Sequence, residues 1–258
     1  MLKSLKIESL LDLTKTIAAP LFEGKTYPYE VLPQIGSYIK ELGKTLNPEK
    51  FTALEGDIYI AKSAKVAPSA LINGPCIIDE DAEIRHCAFI RGNAVVGKGA
   101  VVGNSTELKN CILFDKVQVP HYNYVGDAVL GFKAHMGAGA VTANVKADNS
   151  NVTIRGLEGN LETGLRKVGA VLGDYADVGC NSVLTPGVVI GKGTNVYPTS
   201  MVRGEVPANS IYKEKGKIVK KIQKQNKKCK SLWENFSQGF CIISTKFHLN
   251  NITYHLSC

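Results

Sequence analysis

The sequence predicts a mainly β protein, built as a solenoid of hexapeptide repeats whose short strands run parallel. Two runs of apolar residues recur at intervals of six, a spacing that neither an α-helix nor an alternating strand produces. The first run comprises Ile60, Val66, Ile72, Ile78, Ile84, Ile90, Val96, Val102, Leu108 and Phe114, and the second comprises Leu172, Val178, Leu184, Ile190, Val196 and Val202. Three hexads make one triangular coil, and stacked coils bury these residues in one narrow core.

The repeat loses its phase once, at a proline. Pro120 occupies the next position of the first run, after which Tyr124, Leu130 and Met136 follow the phase of the second run. We therefore expect a bulge at residues 120–124, and bulges often re-aim side chains beside active sites. His121 lies in this stretch and is a candidate general base, because imidazole accepts a proton near neutral pH. A surface histidine on a turn is the alternative.

The chain divides into three parts. Residues 1–52 lack the repeat, show helix-like apolar spacing between prolines, and are expected to cap the open N-terminal end of the solenoid. Residues 53–212 form the solenoid, interrupted by a polar insertion at residues 144–167 that is either a functional loop or disordered. Residues 213–258 comprise a basic helix, expected over 213–235, and a tail of uncertain structure.

Composition limits the class of protein. The 258 residues carry a net charge of +8, much of it between Lys213 and Lys230. A solvated basic helix explains most of these lysines; a nucleic acid, a phosphate-rich ligand or an acidic partner are alternatives. Interleaved aromatic residues typical of single-strand binders are missing, so nucleic acid is not expected. Seven scattered cysteines, no signal-peptide pattern and no long apolar run predict a cytoplasmic protein with reduced thiols and no membrane partner.

Several segments, in order, resemble the C-terminal acetyltransferase domain of the bifunctional enzyme family that makes UDP-N-acetylglucosamine in bacteria. The segments are 88–92 (AFIRG), 102–109 (VGNSTELK), 120–127 (PHYNYVGD), 136–139 (MGAG), 142–144 (TAN) and 172–174 (LGD). The resemblance implies a left-handed β-helix and a homotrimer, with acetyl-CoA as cosubstrate and glucosamine-1-phosphate as the model acceptor. The uridylyltransferase domain of that family has no counterpart in residues 1–52, so pyrophosphorylase activity is not expected.

The resemblance also implies roles for individual residues. His121 would be the general base and Asn144 would hold that histidine or the acceptor amine. Arg91, Lys109, Tyr124 and Lys167 would bind the sugar phosphate. Residues implied in binding CoA are Ala138, Cys180, Pro198, Lys213 and Lys215. Arg91 as a simple corner charge and Cys180 as a small core residue are the alternatives.

Two departures from the family pattern concern the acceptor side. His135 stands where the family has an asparagine that contacts the sugar, and the 144–167 insertion is longer than its counterpart and has no matching sequence. The sequence therefore predicts an N-acetyltransferase for a phosphorylated or nucleotide-linked amino sugar. The alternative is a non-catalytic β-helix that binds a sugar nucleotide or regulates a separate nucleotidyltransferase. No metal site is expected, because His86, His121 and His135 lack the spacing of a three-histidine zinc site.

Overall fold

The computed structural model describes residues 2–221 and consists mainly of short β-strands. The helices are α1 (Ile7–Leu10) and α2 (Ile35–Gly43), with 3-10 turns at Lys3–Leu5, Leu13–Lys15, Ala19–Phe22, Pro28–Gln34 and Glu214–Gly216. The strands are β1 (Phe51–Leu54), β2 (Ile58–Ala61), β3 (Lys65–Val66), β4 (Leu71–Ile72), β5 (Cys76–Ile78), β6 (Glu83–Ile84), β7 (Phe89–Ile90), β8 (Ala94–Val96), β9 (Val101–Asn104), β10 (Glu107–Leu113), β11 (Gln118–His121), β12 (Tyr124–Leu130), β13 (His135–Met136), β14 (Val141–Thr142), β15 (Thr153–Gly156), β16 (Gly159–Glu162), β17 (Ala170–Leu172), β18 (Asp177–Val178), β19 (Val183–Leu184), β20 (Val188–Ile190), β21 (Asn195–Val196), β22 (Met201–Val202), β23 (Glu205–Val206), β24 (Ser210–Tyr212) and β25 (Ile218–Lys220).

These strands form the predicted left-handed parallel β-helix, a triangular prism with three faces. The first face contains β2, β5, β8, the second half of β10, the second half of β12, β17, β20 and β23. The second face contains β3, β6, β9, β11, β13, β18, β21 and β24. The third face contains β4, β7, the first halves of β10 and β12, β14, β19 and β22. Each strand pairs with the strand one coil away, so the backbone groups of successive coils satisfy one another.

The interior confirms the hexad pattern on all three faces. The column on the first face contains Ile78, Val96, Leu113, Leu130, Leu172, Ile190 and Val206, all fully buried. Thr142 occupies one interior position on the third face, where its hydroxyl accepts a hydrogen bond from the Gly126 backbone N–H at 2.9 Å. That bond removes the cost of burying a hydroxyl among aliphatic side chains.

The predicted phase break at Pro120 is wrong. Leu113, rather than Phe114, aligns with Val96 inside the prism, so the step from Leu108 is five residues. A second five-residue step runs from Val125 to Leu130. His121 ends a regular strand instead of lying in a bulge.

A left-handed corner residue occurs in the six-residue steps as well, three residues after the inward residue, as at Asp81 and Cys87; in each five-residue step it comes after only two. Asn110 has φ 50° and Asp127 has φ 48°. Asn and Asp are the non-glycine residues that adopt this conformation most readily. Both short steps occur at the corner between the third and first faces. The repeat continues in a new phase after each one.

The N-terminal residues are partly helical, as predicted, but they lie along the side of the prism instead of covering its end. The Leu10 carbonyl accepts a hydrogen bond from the Asp174 backbone N–H at 2.9 Å. Phe22 packs edge-to-face on Phe114, with ring centroids 5.8 Å apart. Farther along, Gly43 of α2 lies against the Tyr59 ring, where a Cβ atom would collide with it. Residues 2–46, the flank segment, thus extend from the late coils to the first one.

The flank segment explains why the first face is apolar on its outer side as well. The outward residues there are buried, with at most 3% exposure: Ile77, Val95, Ile112, Val129, Val171 and Val189. A polar outward column would face water; this one faces Ile35, Ile39 and other buried side chains of the flank segment. At the N-terminal end of the prism, the edge of β2 is covered by β1, which pairs with it in antiparallel orientation.

The insertion at residues 144–167 contains an ordered hairpin of β15 and β16. Val152 and Ile154 are buried against the prism, and the Val152 side chain lies close to Gly187. Thr153 and Arg155 alternate with them on the other side of the strand, where they line a pocket with Thr185 and Arg203 of the late coils. The hairpin therefore has one apolar side buried on the prism and one polar side that borders this pocket.

The predicted basic helix is wrong for its first residues. Residues 214–216 form a 3-10 turn and β25 pairs antiparallel with β24, which closes the last described coil of the second face. The remainder of that predicted helix, and the tail at residues 236–258, lie outside the described residues. Within residues 2–221, no helix has the length and apolarity needed to cross a membrane.

Candidate functional site at two corners of the third face

Two corners of the prism border the third face and carry most of the predicted site residues. The His121 corner, between the second and third faces, contains His121, Ala138, Cys180 and Pro198 on successive coils. Backbone hydrogen bonds fix this stack: Gly139 N–H donates to the His121 carbonyl at 3.0 Å and Asn181 N–H to the Ala138 carbonyl at 2.8 Å. The predicted base and three predicted CoA contacts thus form one ridge.

The His121 side chain is exposed at this ridge. Its backbone N–H donates to the Asn123 side-chain oxygen at 3.1 Å, and the Asn123 amide donates in turn to the carbonyls of Gly137 and Ala140. Asn123 is 2% exposed. This buried amide ties the His121 turn to the next coil, so the imidazole projects from a fixed backbone.

Small residues make the His121 corner a shallow, accessible track. A Cβ atom on Gly137 would lie 2.7 Å from the Cys180 backbone nitrogen, and one on Gly179 would lie 2.4 Å from the Pro198 nitrogen. Neither position can carry a side chain without displacing backbone. The Cys180 thiol is exposed, so it is not the small core residue that the sequence left open as an alternative.

The Asp127 corner, between the third and first faces, is organised by one buried carboxylate. Asp127 accepts hydrogen bonds from Lys109 Nζ at 3.0 and 3.2 Å and from Asn110 Nδ2 at 2.9 Å. The Asn144 amide donates to its second oxygen. Charge-assisted bonds of this kind are stronger than neutral ones and fix the donors in place. Asp127 therefore positions two residues to which the sequence assigned substrate contacts, Lys109 and Asn144.

Tyr124 connects this corner with the third face. Asn144 Nδ2 donates to the Tyr124 hydroxyl at 3.3 Å. Burial raises the pKa of Tyr124, and the nearby Asp127 carboxylate adds to the effect. Both causes disfavour the phenolate. The hydroxyl thus remains a neutral donor that a ligand oxygen could accept from.

Arg91 lies one coil before Glu107 on the same face. Its guanidinium donates to Glu107 Oε1 at 2.6 Å, and this contact is the largest cause of the raised pKa of Arg91. About half of the Arg91 side chain is exposed. The pair holds the guanidinium in a defined position and leaves part of it available.

Lys167 is brought to the Asp127 corner by the end of the insertion. It forms a bridge with Val145, and the next residue donates its N–H to the Asn144 carbonyl at 3.1 Å. A groove there is lined by Leu32, Pro33, Asn110, Asp127, Leu165, Arg166 and Lys167. The flank segment thus supplies one wall of the groove, which the sequence did not indicate.

His135 is not brought to either corner. It lies on the second face, where its Nδ1 is 2.8 Å from an Asp177 oxygen and Asn195 donates to the other oxygen at 3.0 Å. The hydrogen bond from His135 is the main reason why the pKa of Asp177 is lowered. The predicted sugar contact of His135 is therefore not formed with the other site residues of the same chain.

The last two predicted CoA residues lie near the His121 ridge. Lys213 places its ammonium group 5.7 Å from the centre of the Tyr197 ring, next to Pro198. Lys215 is in the 3-10 turn that follows. A positive charge at Lys213 is thus held beside the late end of the ridge by a cation–π contact.

The sequence missed two acidic residues that organise the site. Glu107 and Asp127 lie within the segments that carry the resemblance, yet neither was given a role. For Asp127, the sequence signal was the Gly126-Asp127 pair that ends the resembling segment 120–127. Within residues 2–221, the structure contains no group of three or more His, Cys, Asp or Glu side chains arranged to hold a metal ion.

The fold and the corner residues define a hexapeptide-repeat protein of the left-handed β-helix class. The comparisons confirm the predicted resemblance to the C-terminal β-helix domain of bifunctional GlmU proteins. Residues 72–165 match the family model described as the GMPPB C-terminal domain.

Two relatives and one solved structure illustrate the similarity. The bifunctional protein GlmU of Methanococcus vannielii is 32% identical over 197 residues, covering 75% of this chain and 47% of the relative. The bifunctional sugar-1-phosphate nucleotidylyltransferase/acetyltransferase of Sulfurisphaera tokodaii is 30% identical over 179 residues, covering 62% and 45%. A putative acetyltransferase structure from Bacillus cereus is 19% identical with a TM-score of 0.38, covering 67% of this chain and 83% of that one. The chain thus spans about half the length of the curated relatives it matches.

Proposed function

We propose that this protein is an N-acetyltransferase that transfers the acetyl group of acetyl-CoA to the amine of a phosphorylated amino sugar, such as glucosamine-1-phosphate. The observation that carries the proposal is the placement of two groups along one face. His121 projects from one edge of the third face, and a cluster of cations held by carboxylates lies along the other edge. The names of the relatives, which include acetyltransferase and sugar-1-phosphate activities, support the same class.

The acceptor would bind at the Asp127 corner. Arg91, Lys109 and Lys167 supply three positive charges, two of them held by Glu107 and Asp127. A phosphate dianion suits such a set, because guanidinium offers a planar pair of donors and ammonium acts as a point charge. The Tyr124 hydroxyl would then contact a sugar oxygen. Asn144 Nδ2 donates to Tyr124 and Asp127 rather than to His121, so of its two predicted roles Asn144 would keep the contact with the acceptor amine.

The acetyl-CoA substrate would lie along the His121 corner. Ala138, Cys180 and Pro198 leave room for an extended thioester arm, because the glycines beside them carry no side chain. Lys213, with Lys215 in the adjoining turn, would meet the phosphates at the far end. The open shape of the ridge and the positive charge beside Tyr197 both suit an extended cosubstrate with phosphates at one end.

His121 would act on the acceptor amine. The amine nitrogen forms a bond to the acetyl carbonyl carbon, the carbon–sulfur bond breaks, and the sulfur leaves as the CoA thiol. The nitrogen loses one proton to His121 Nε2 or Nδ1, and a proton is returned to the departing sulfur. A base at hydrogen-bond distance is needed because a protonated amine has no lone pair for attack.

The third face also carries the surface for the proposed homotrimer. Its outward column contains exposed apolar residues, namely Leu71, Val183 and Met201. The first face is already covered by the flank segment, and the outward residues of the second face are mostly polar. A neighbouring prism on the third face would bury the apolar column and enclose both corners, in keeping with closed rotational symmetry.

The direct test is thiol release from acetyl-CoA by the purified protein, with glucosamine-1-phosphate compared with unphosphorylated glucosamine. The His121→Ala variant should lose at least about a hundredfold in kcat, the usual contribution of a general base. His86→Ala is the matched control, because His86 lies at the same corner on an earlier coil and contacts Ser69. Equal rates for the His121 variant and the wild type would remove His121 from the mechanism. No turnover with either sugar would contradict the proposed function.

A further inference from the structure

The polar side of the inserted hairpin closes a basic pocket against the late coils of the prism. Its lining includes Arg155 and Thr153 of the hairpin, Lys146 before it, and Thr185, Gly187 and Arg203 of the coils. Three of these residues are cations and two carry hydroxyls. No acidic side chain is part of the lining.

The two arginines differ from Arg91 and Lys109 in their partners. Arg91 and Lys109 each form an ion pair, whereas Arg155 and Arg203 form none with any residue in the described range 2–221. Lys146 is partly compensated, since its ammonium group lies 3.9 Å from an Asp148 oxygen and donates to Ser150. The Thr153 hydroxyl donates to Glu162 Oε2 at 2.9 Å, so a second carboxylate borders the pocket. The three cations still outnumber Asp148 and Glu162, which leaves the pocket with a net positive charge.

The position of Arg155 is fixed by packing. Ile154, its neighbour, is 2% exposed, and Gly204 comes so close to the hairpin that a Cβ atom there would lie 2.9 Å from the Arg155 carbonyl oxygen. Arg203 precedes that glycine. The same close contact thus brings both arginine backbones together, and a side chain at Gly204 would separate them.

The pocket lies near the acceptor site, on the same edge of the third face. Val141 pairs with Val183, which puts Ala143 beside Thr185 on the next coil, and Leu184 pairs with Val202, which puts Thr185 beside Arg203. Neighbouring strands are about 4.8 Å apart. Arg203 is therefore about two strand spacings beyond the residue that precedes Asn144.

We propose that Arg155 and Arg203, with Lys146, form a phosphate-binding pocket that is separate from the Asp127 corner. Two guanidinium groups can each bind a phosphate oxygen pair, and the Lys146 ammonium group adds a further donor. The ligand is a phosphate group, either of a free phosphorylated compound or of a nucleoside diphosphate attached to the acceptor sugar.

The test measures binding of inorganic pyrophosphate to the full chain by calorimetry. All proteins carry Arg91→Gln, Lys109→Gln, Lys213→Gln and Lys215→Gln, which weaken the acceptor corner and the proposed contacts with CoA phosphates, so that the pocket is the principal proposed anion site that remains. Adding Arg155→Gln and Arg203→Gln should weaken binding at least tenfold. Adding Lys62→Gln and Lys65→Gln instead removes the same charge from exposed positions on an early coil and should change binding less than twofold. An unchanged affinity for pyrophosphate in the arginine variant, or an equal loss of affinity in both variants, would overturn the proposal that this pocket binds phosphate.

Acetyl-transfer kinetics distinguish a nucleotide on the acceptor sugar from a separate phosphorylated compound. This second measurement rests on the proposed function. If the pocket binds the acceptor's nucleotide, Arg155→Gln/Arg203→Gln raises KM at least tenfold for a nucleoside-diphosphate amino sugar and leaves KM for the sugar monophosphate unchanged. If the phosphate belongs to a separate compound, neither KM changes. The calorimetry requires no turnover, so failure of the His121 test would leave the binding result interpretable.

Discussion

The Asp127 carboxylate lies 3.0 Å from the ammonium nitrogen of Lys109, and only 5% of the Asp127 side chain is exposed. The same carboxylate accepts hydrogen bonds from Asn110 and Asn144. Residues from three coils are therefore connected through one acidic group. The acceptor site that we propose depends on this residue, although Asp127 itself need not contact the substrate.

Asp127→Asn should destabilise the protein by about 1–3 kcal/mol, the cost of leaving buried donors without a charged acceptor. It should also raise KM for the phosphorylated acceptor, because Lys109 loses its partner. Asparagine adopts the left-handed backbone of this position readily, so strain does not contribute. Denaturant unfolding and acetyl-transfer kinetics measure the two effects.

Asp81→Asn is the control for that substitution. Asp81 also has a positive φ, of 58°, but its side chain is exposed. We expect a change within about 0.5 kcal/mol, as for most surface substitutions. Similar losses from both variants would mean that the effect belongs to left-handed corners in general and not to the Asp127 cluster.

Tyr124→Phe tests the proposed contact between the tyrosine hydroxyl and the sugar. Losing one hydrogen bond should weaken acceptor binding by about 1 kcal/mol, a severalfold rise in KM, while kcat changes little. Because the hydroxyl is neutral, the effect should be constant between pH 6 and pH 8. Steady-state kinetics at several pH values provide the measurement.

Tyr122→Phe removes the same atom two residues earlier, from a side chain that is 65% exposed. Its KM should equal that of the wild type. If Tyr122→Phe raises KM as much as Tyr124→Phe does, the Asp127 corner is not where the acceptor lies.

Asp79→Asn should stabilise the protein at neutral pH. Burial raises the pKa of the Asp79 carboxyl, against the opposing hydrogen bond from the Glu80 N–H. A folded-state pKa above the unfolded value means that folding favours the protonated form. The contribution of Asp79 is thus most favourable below about pH 4 and is lost as pH rises through the folded-state pKa.

Asparagine does not ionise, so this loss does not occur in the variant. The melting temperature of Asp79→Asn should exceed that of the wild type at pH 7, and the difference should shrink at pH 3.5. Thermal unfolding at both pH values measures it. A variant that is less stable than the wild type by the same amount at both values would show that ionisation of Asp79 is irrelevant.

Val183→Lys tests the proposed trimer. Val183 is 40% exposed and pairs with Met201, which is 67% exposed, on the third face. A lysine in the centre of an apolar interface would have to be buried without a partner. Light scattering should give a trimer for the wild type and a monomer for the variant at micromolar concentration.

Leu157→Lys is the corresponding control, at an exposed leucine in the hairpin turn. It should remain trimeric. A monomeric wild type, or a trimeric Val183→Lys protein, would contradict the assignment of the third face as the interface.

The hexad pattern predicted the prism because nearly all residues that point into the prism are aliphatic. The exact register of the inward residues was harder to predict from the sequence, since Leu113 and Phe114 are both apolar and both fully buried. The left-handed corner comes at Asn110, two residues after Leu108 instead of the usual three, and Leu113 therefore points inward. A five-residue step is therefore invisible to a search for apolar residues alone.

The candidate site was predictable where it depended on corner residues of the repeat. His121, Ala138, Cys180 and Pro198 form one ridge because each lies at the same position in its coil. His135 was grouped with acceptor residues by resemblance, yet the coil geometry puts it on another face, where it pairs with Asp177. The basic pocket at Arg155 depends on how the insertion folds back, which no repeat pattern specifies.

The flank segment has a consequence for how this protein unfolds. In a simple solenoid each coil touches only its neighbours, so stability is nearly a sum of local terms and the ends can fray independently. Here one stretch of chain contacts Tyr59 in the first coil and Asp174 several coils later. Opening either end therefore disturbs contacts that support the other, and the described coils should melt in a single cooperative transition.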